Sequence, residues 1–275
     1  MTKAILITGC STGIGYMAAH ALQQRGYHVI ASCRKLEDVE KLRQEGLTCI
    51  QLDLRCEKSI TEAVTQTMDL CDGKLYALFN NGAYGQPGAI EDLPTAALRE
   101  QFETNFFGWH QLTTEIIPHF RKQGEGRIIQ NSSVLGFAAM KYRGAYNASK
   151  FAIEGWSDTL RLELRTTNIL ISIIEPGPIE TSFRANALTA FKHWIDTPNS
   201  VHSTVYQSQI QRLNGDKSNN AFALPAKACL PYLLHALESS KPKLRYRITT
   251  PTKVFAILKR VVPNRWLDHL LDKAA

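Results

Sequence analysis

Four short apolar runs, at residues 4–8, 28–32, 48–52 and 75–79, punctuate the first eighty positions of the chain, and helical patterns at 14–25, 36–45 and 57–69 separate them. No hairpin turn joins one run to the next. Strands that are apolar on both faces and linked by helices can bury themselves only in a parallel sheet covered on each side. Further runs at 126–130, 169–174 and 244–249, with helical stretches at 98–122, 144–164 and 224–239, extend the pattern. The expected fold is therefore α/β: a Rossmann-like, doubly wound parallel sheet of about seven strands with helices on both faces and ligands at the strands' carboxyl ends. Pro118 is expected to bend or end the helix at 98–122, and Pro231 to bend the one at 224–239.

The first run leads directly into Gly9-Cys10-Ser11-Thr12-Gly13-Ile14-Gly15, and a helix follows. In that setting bare backbone can approach a pyrophosphate, and the helix N-terminus favours the anion. The second strand ends in Cys33-Arg34-Lys35, with no acidic residue for the ribose hydroxyls of NAD and an Arg able to grip a 2′-phosphate, so NADP(H) is expected. At the end of the third strand, Asp53-Leu54 places a carboxylate where it either caps the next helix or meets the adenine.

The stretch at 144–164 carries Tyr146 and Lys150 one helical turn apart, hence on one face, with Ser133 upstream at the end of the fifth strand. An unperturbed tyrosine titrates near ~10, and bringing it to about 7 takes roughly 4 kcal/mol of preferential phenolate stabilisation. A neighbouring ammonium and a cationic cofactor ring both have the right sign. Such a phenol could serve as general acid or base at neutral pH.

Taken together, Thr8-Gly9-x-x-x-Gly13-Ile14-Gly15, Asp53, Asn80, Asn105, Ser133, Tyr146-x-x-x-Lys150 and Pro176-Gly177 closely resemble the single-domain short-chain dehydrogenase/reductase family, over about residues 3 to 182. The resemblance implies that Tyr146 passes the proton, Ser133 hydrogen-bonds the substrate oxygen, Lys150 holds the nicotinamide ribose and lowers the Tyr pKa, and Asn105 keeps a water in the relay. It places Ile179 and Thr181 at the nicotinamide amide, and Asn80, Pro176 and Gly177 among the cofactor contacts. Cys33-Arg34 looks like the NADP-preferring members, and the segments 82–91 and 174–177 look like the retinol and hydroxysteroid dehydrogenases and aldehyde reductases. One departure stands out: Asn80-Asn81-Gly82-Ala83 exchanges the last two residues of the family's Asn-Asn-Ala-Gly. If the fourth position requires positive φ, Ala83 costs about 1 kcal/mol and the turn shifts locally.

These readings make the chain one oxidoreductase domain over residues 1–275, acting on a hydrophobic aldehyde, ketone or alcohol of retinoid- or steroid-like character. The alternative is a non-catalytic regulator that senses NADP on the same fold. Specificity is expected at 137–143 and in a lid at about 182–220, where Phe183, Leu188, Phe191 and Trp194 stand among polar residues. The net charge of +7 lies wholly in residues 241–275, which hold nine basic and two acidic side chains, so diffuse nucleic-acid binding by the main body is not expected. From 251 onward Val254, Ile257, Leu258 and Val261, then Trp266, Leu267, Leu270 and Leu271, form an amphipathic pattern. That tail is expected to pack over the substrate cleft or another subunit, with peripheral membrane contact as the alternative. Six cysteines without metal spacing, a strand starting just after Met1 and no long apolar run suggest no metal and a cytoplasmic setting. The family resemblance suggests a homodimer or homotetramer.

Overall fold

The computed structural model describes residues 2–214 and 221–274. Its first half runs through β1 (Ala4–Ile7), α1 (Gly13–Gln23), β2 (His28–Cys33), α2 (Leu36–Gln44), β3 (Thr48–Gln51), α3 (Glu57–Leu70) and β4 (Leu75–Asn80). There follow α4 (Thr95–Phe102), α5 (Gly108–Gln123), β5 (Gly126–Asn131), α6 (Gly144–Glu163) and β6 (Ile169–Glu175). The last part comprises β7 (Ile179–Glu180), α7 (Phe183–Trp194), α8 (Ser203–Asn214), β8 (Leu224–Pro225), α9 (Leu230–Glu238), β9 (Arg245–Arg247), α10 (Thr250–Val261) and α11 (Asn264–Ala274).

Seven parallel strands form one sheet in the order β3-β2-β1-β4-β5-β6-β9, the Rossmann-like arrangement expected from the apolar runs. Alternate residues of each strand enter opposite cores. Ile5, Ile7 and Phe79 join α1, α2 and α9 on one face; Leu6, Ile30 and Leu78 join α3, α5 and Ile153 of α6 on the other. Successive strands run to opposite sides of β1, so β1 and β4 diverge at their carboxyl ends, where this architecture opens a crevice. The edge strand β9 is short, and Arg245 and Arg247 anchor it through ion pairs of 3.1 and 3.0 Å to Glu175, which is buried at the end of β6.

Several local features differ from the periodicity. The helix expected at 98–122 is divided by a π-helical turn, Glu103–Phe107, and α5 continues past Pro118 to close at Gly124 in the left-handed conformation. The side chain of Asn105 within that turn is fixed to another segment, so the wide turn serves packing outside the helix. Pro231 lies in the first turn of α9, where its missing N–H costs nothing, and does not bend the helix. Ahead of it a 3-10 turn spans Ala226–Cys229, and before that lies β8, a two-residue strand paired with β7 and too short to leave a periodic signal.

The expected lid contains the helices α7 and α8; its residues 215–220 lie outside the described residues. Phe191 packs with Ile195, Tyr206 and Ala89 as ordinary core, and the Tyr206 hydroxyl accepts a 2.9 Å bond from the Ala89 N–H. The tail docks over the cleft side. Phe255, Leu258, Val262, Leu267 and Leu271 pack on Val134, Leu135, Ala138, Phe137 and Met140. The buried stripe is thus rotated from the expected one: Ile257 and Val261 point outward and are 62% and 70% exposed. Among the described residues no helix is long and apolar enough to cross a membrane.

Gly108 opens α5 against β3's exit: a Cβ there would stand 2.1 Å from the Leu54 carbonyl oxygen. Helix propensity alone would favour Gly108→Ala by about 1 kcal/mol, but the clash forces α5 outward, so a net loss of about 2 kcal/mol is expected. Urea denaturation measures it, and a midpoint at or above the parent's would contradict this packing.

Candidate active site

At the crevice, side chains join three strand ends. The Thr8 hydroxyl accepts 2.8 Å bonds from the N–H groups of both Asn81 and Gly82, and Asn81 Nδ2 donates to the carbonyls of Thr8 (2.9 Å) and Gly9 (3.2 Å). Asn131 Nδ2 at the end of β5 donates to Asn81 Oδ1 at 2.8 Å. This requires close backbone approach: Gly9 has φ +69°, and a Cβ on it would lie 2.5 Å from the Gly82 Cα. Neither Gly82 nor Ala83 has positive φ, so the strain expected from their exchange is absent. Thr12, at the N-cap of α1, makes no side-chain cap, and the helix has no acid in its first turn, leaving its leading N–H groups for an anion.

α6 carries the titratable pair. Lys150 is buried, donates from Nζ to the Asn131 carbonyl at 2.8 Å, and lies 4.3 Å from the Trp109 ring centroid and 5.7 Å from that of Tyr146. Ser133 and Tyr146 face the same cleft, where Ser133 acts to lower the phenol's pKa, and the Tyr146 ring meets Phe183 edge-on at 5.3 Å. Ser133 Oγ also accepts from the Leu135 N–H at 3.1 Å, which fixes its rotamer.

Burial dominates the electrostatics. It pushes Tyr146 up to about 12, with Ser133 opposing. It also pulls Lys150 down to about 7, against the charge of Glu154 one turn on. The chain by itself therefore does not produce the acidic phenol expected from Tyr146 and Lys150, because desolvation penalises both ionised forms.

A cleft of about 900 Å³ brings together Gly9, Ser11, Thr12, Gly13 and Ile14 from the turn, then Ser133, Tyr146 and Lys150, then Pro176, Gly177, Ile179 and Thr181 after β6. Other expected site residues do not line it. Gly15 is pressed against the turn, where a Cβ would meet the Gly9 carbonyl at 2.3 Å. Asn80 points inward, donating to Thr113 Oγ1 at 2.9 Å. Asn105 spends both its amide donors on the Tyr84 carbonyl (2.9 Å) and Ser149 Oγ (3.2 Å), so its side chain fastens α6 to the β4 exit. Arg34 is exposed at the end of β2, and Leu54 packs behind Gly82. Asp53 neither caps α3 through its side chain nor faces the cleft. It pairs with Arg55 at 3.0 Å; burial acts to raise its pKa, but the bonds and charge of Arg55, with the charge of Arg34, hold it below the ordinary value.

Asn81 and Asn131 are not singled out in the sequence as positioning residues; Arg143, Arg184 and Arg212, which line the cleft from α6's start, α7 and α8, fall within the stretches expected to set specificity but are not marked there individually. The asparagines stand beside recognised motif residues and could have been suspected. The arginines come from three separate segments with no common spacing.

A family model described as short chain dehydrogenase matches residues 3–190. The chain is 41% identical to the uncharacterized oxidoreductase YbbO of Escherichia coli K12 over 273 residues, covering 99% of this chain and 95% of that protein. Human retinol dehydrogenase 8 is 36% identical over 196 residues, 68% of this chain and 62% of that protein. Among solved structures, a Burkholderia phymatum short chain dehydrogenase/reductase in complex with NAD superposes with a TM-score of 0.76 at 20% identity, covering 94% of this chain and 92% of that one. A Burkholderia cenocepacia short chain dehydrogenase in complex with NADP gives 0.74 at 20% identity, covering 98% and 97%.

Lys150 takes up its proton less readily folded than unfolded, so between its folded value of about 7 and its ordinary 10.5 the unfolded chain binds more protons and stability rises with pH. Below about 7 the penalty is fully present. Lys150→Met removes it, so the variant's melting temperature relative to the parent should climb as pH falls from 9 to 6. A difference independent of pH would contradict the buried ammonium.

Proposed function

The chain belongs to the short-chain dehydrogenase family, and on that premise we propose that it is an NADP(H)-dependent oxidoreductase acting on a hydrophobic carbonyl or alcohol, with Tyr146 as general acid and base. The observation that carries this reading is the convergence in one cleft of Ser133, Tyr146, the buried Lys150 amine and the uncapped start of α1.

The residues fit a dinucleotide. The turn Gly9, Ser11, Thr12, Gly13 with the start of α1 would hold a pyrophosphate, and Gly13 stays bare where a Cβ would come within 3.0 Å of Thr181. Lys150 would meet the nicotinamide ribose, Ile179 and Thr181 its amide, and Arg34 the 2′-phosphate. Cys33, where an acid would select NAD, is buried in the core and offers a ribose nothing. When bound, the nicotinamide supplies or accepts the hydride.

The protein's own share is positioning and proton transfer. In reduction, Ser133 donates to the substrate oxygen while the Tyr146 hydroxyl gives its proton to the alkoxide that develops there; oxidation reverses the transfer. Lys150, held by the Asn131 carbonyl, favours the phenolate left behind. Trp109 beneath and Phe183 beside the pair exclude water, which strengthens those interactions. Phe183, Phe222, Val254 and Phe255 give the cleft apolar walls suited to a long aliphatic, retinoid-like or steroid-like substrate.

Tyr146→Phe should lower turnover of a long-chain aldehyde by ~10²–10⁴-fold while NADPH still quenches tryptophan fluorescence. Turnover near the parent's would remove Tyr146 from the chemistry. Arg34→Ala should weaken NADPH by at least about tenfold and leave NADH little changed; equal losses for both would refute the 2′-phosphate reading.

A further inference from the structure

Three arginines share the wall of the catalytic cleft. Arg143 lies one turn before Tyr146, Arg184 follows the Phe183 that packs on Tyr146, and Arg212 closes α8. The hydrogen-bond partners of Arg143 and Arg212 do little to offset their charge. Arg143 bonds the Met140 sulfur, and Arg212 bonds Gln209 Oε1 at 3.1 and 3.0 Å; among the described residues neither has an ion pair with a carboxylate. The cations also act on one another. Burial first, then the charges of Arg212 and Arg184, pulls Arg143 down to about 10, and burial with Arg184 lowers Arg212. Surface arginines without a carboxylate are commonplace. Like charges gathered on a part-buried wall of a cleft that also carries Phe183, Phe222 and Phe255 bear a desolvation cost, and an arriving anion would relieve it.

Resting on the oxidoreductase reading above, we propose that the carbonyl or alcohol substrate is amphipathic and bears an anionic group, a carboxylate or phosphate ester, which Arg143, Arg184 and Arg212 bind while its chain lies along the apolar walls. Guanidinium forks match both oxyanions, and the anion fixes how far the reacting carbon sits from Tyr146.

Binding and turnover test this separately. By calorimetry on the full-length protein saturated with NADP⁺, octanoate and octyl phosphate should each bind at least about tenfold tighter than 1-octanol, and Arg143→Met or Arg212→Met should abolish the difference. The relative strength of the two probes separates a carboxylate from a phosphate ester. In turnover, the ratio of kcat/KM for an ω-carboxy aldehyde to that for its methyl ester should fall roughly 30-fold in either variant, mainly through KM. Two variants on different elements guard against one failing to fold, which thermal melting reports. Equal binding of octanol and both anions overturns the proposal. So does loss of NADPH affinity in the variants with the substrate ratio intact, since the arginines would then serve the cofactor. If octanoate binds through the arginines but no carbonyl or alcohol is turned over, the anion site stands and the oxidoreductase reading fails.

Discussion

The hydrogen bond from Lys150 to the Asn131 carbonyl ties the active-site helix to the sheet, and the rest of the crevice follows from it. Asn131 reaches Asn81 with its side chain, and Asn81 holds the carbonyls of Thr8 and Gly9, so one polar chain crosses from α6 through the ends of β5, β4 and β1 to the glycine turn. Parallel strands leave their last backbone groups unpaired at the carboxyl edge, and here side chains answer that deficit. Moving any member shifts the turn and the Tyr146–Lys150 helix relative to each other. Buried networks of this kind work only when their members find partners, which accounts for the dense cluster of Asn, Ser and Thr at this edge.

The sheet was legible in the sequence because each strand is buried on both faces, and doubly buried strands write themselves as unbroken apolar runs. The helix-by-helix course follows from the same pattern, whereas the order of strands in the sheet is set by pairings that the runs do not encode. Elements whose conformation depends on distant partners left no such mark. The π-helical turn around Asn105 exists for contacts to Tyr84 and Ser149, and β7 pairs with β8 across more than forty residues of intervening chain. The tail's apolar stripe was found but rotated, because Val254 at the cleft and Ile257 and Val261 on the outside have the same composition as buried positions.

In the site, the motif residues divide between those that face the cleft and those that build it. Ser133, Tyr146 and Lys150 do the former. Asn80, Gly15 and the side chain of Asn105 do the latter, and from sequence alone the two groups look the same. The ionisation of Tyr146 and Lys150 is legible only in part for the same reason: spacing shows that an ammonium can approach a phenol, whereas the penalty of burying both depends on surroundings such as Trp109 and Phe183. Local pattern encodes proximity; solvation is a property of the assembled molecule.

The C-terminal helices rest on the 134–140 segment without contributing a strand, and α10 adds Val254 and Phe255 to the cleft wall beside a candidate site built from α6 and the strand ends. Substitutions can therefore accumulate in that last segment without disturbing the reactive constellation. Over a lineage, what enters and what happens to it can drift apart, one diverging while the other is inherited unchanged.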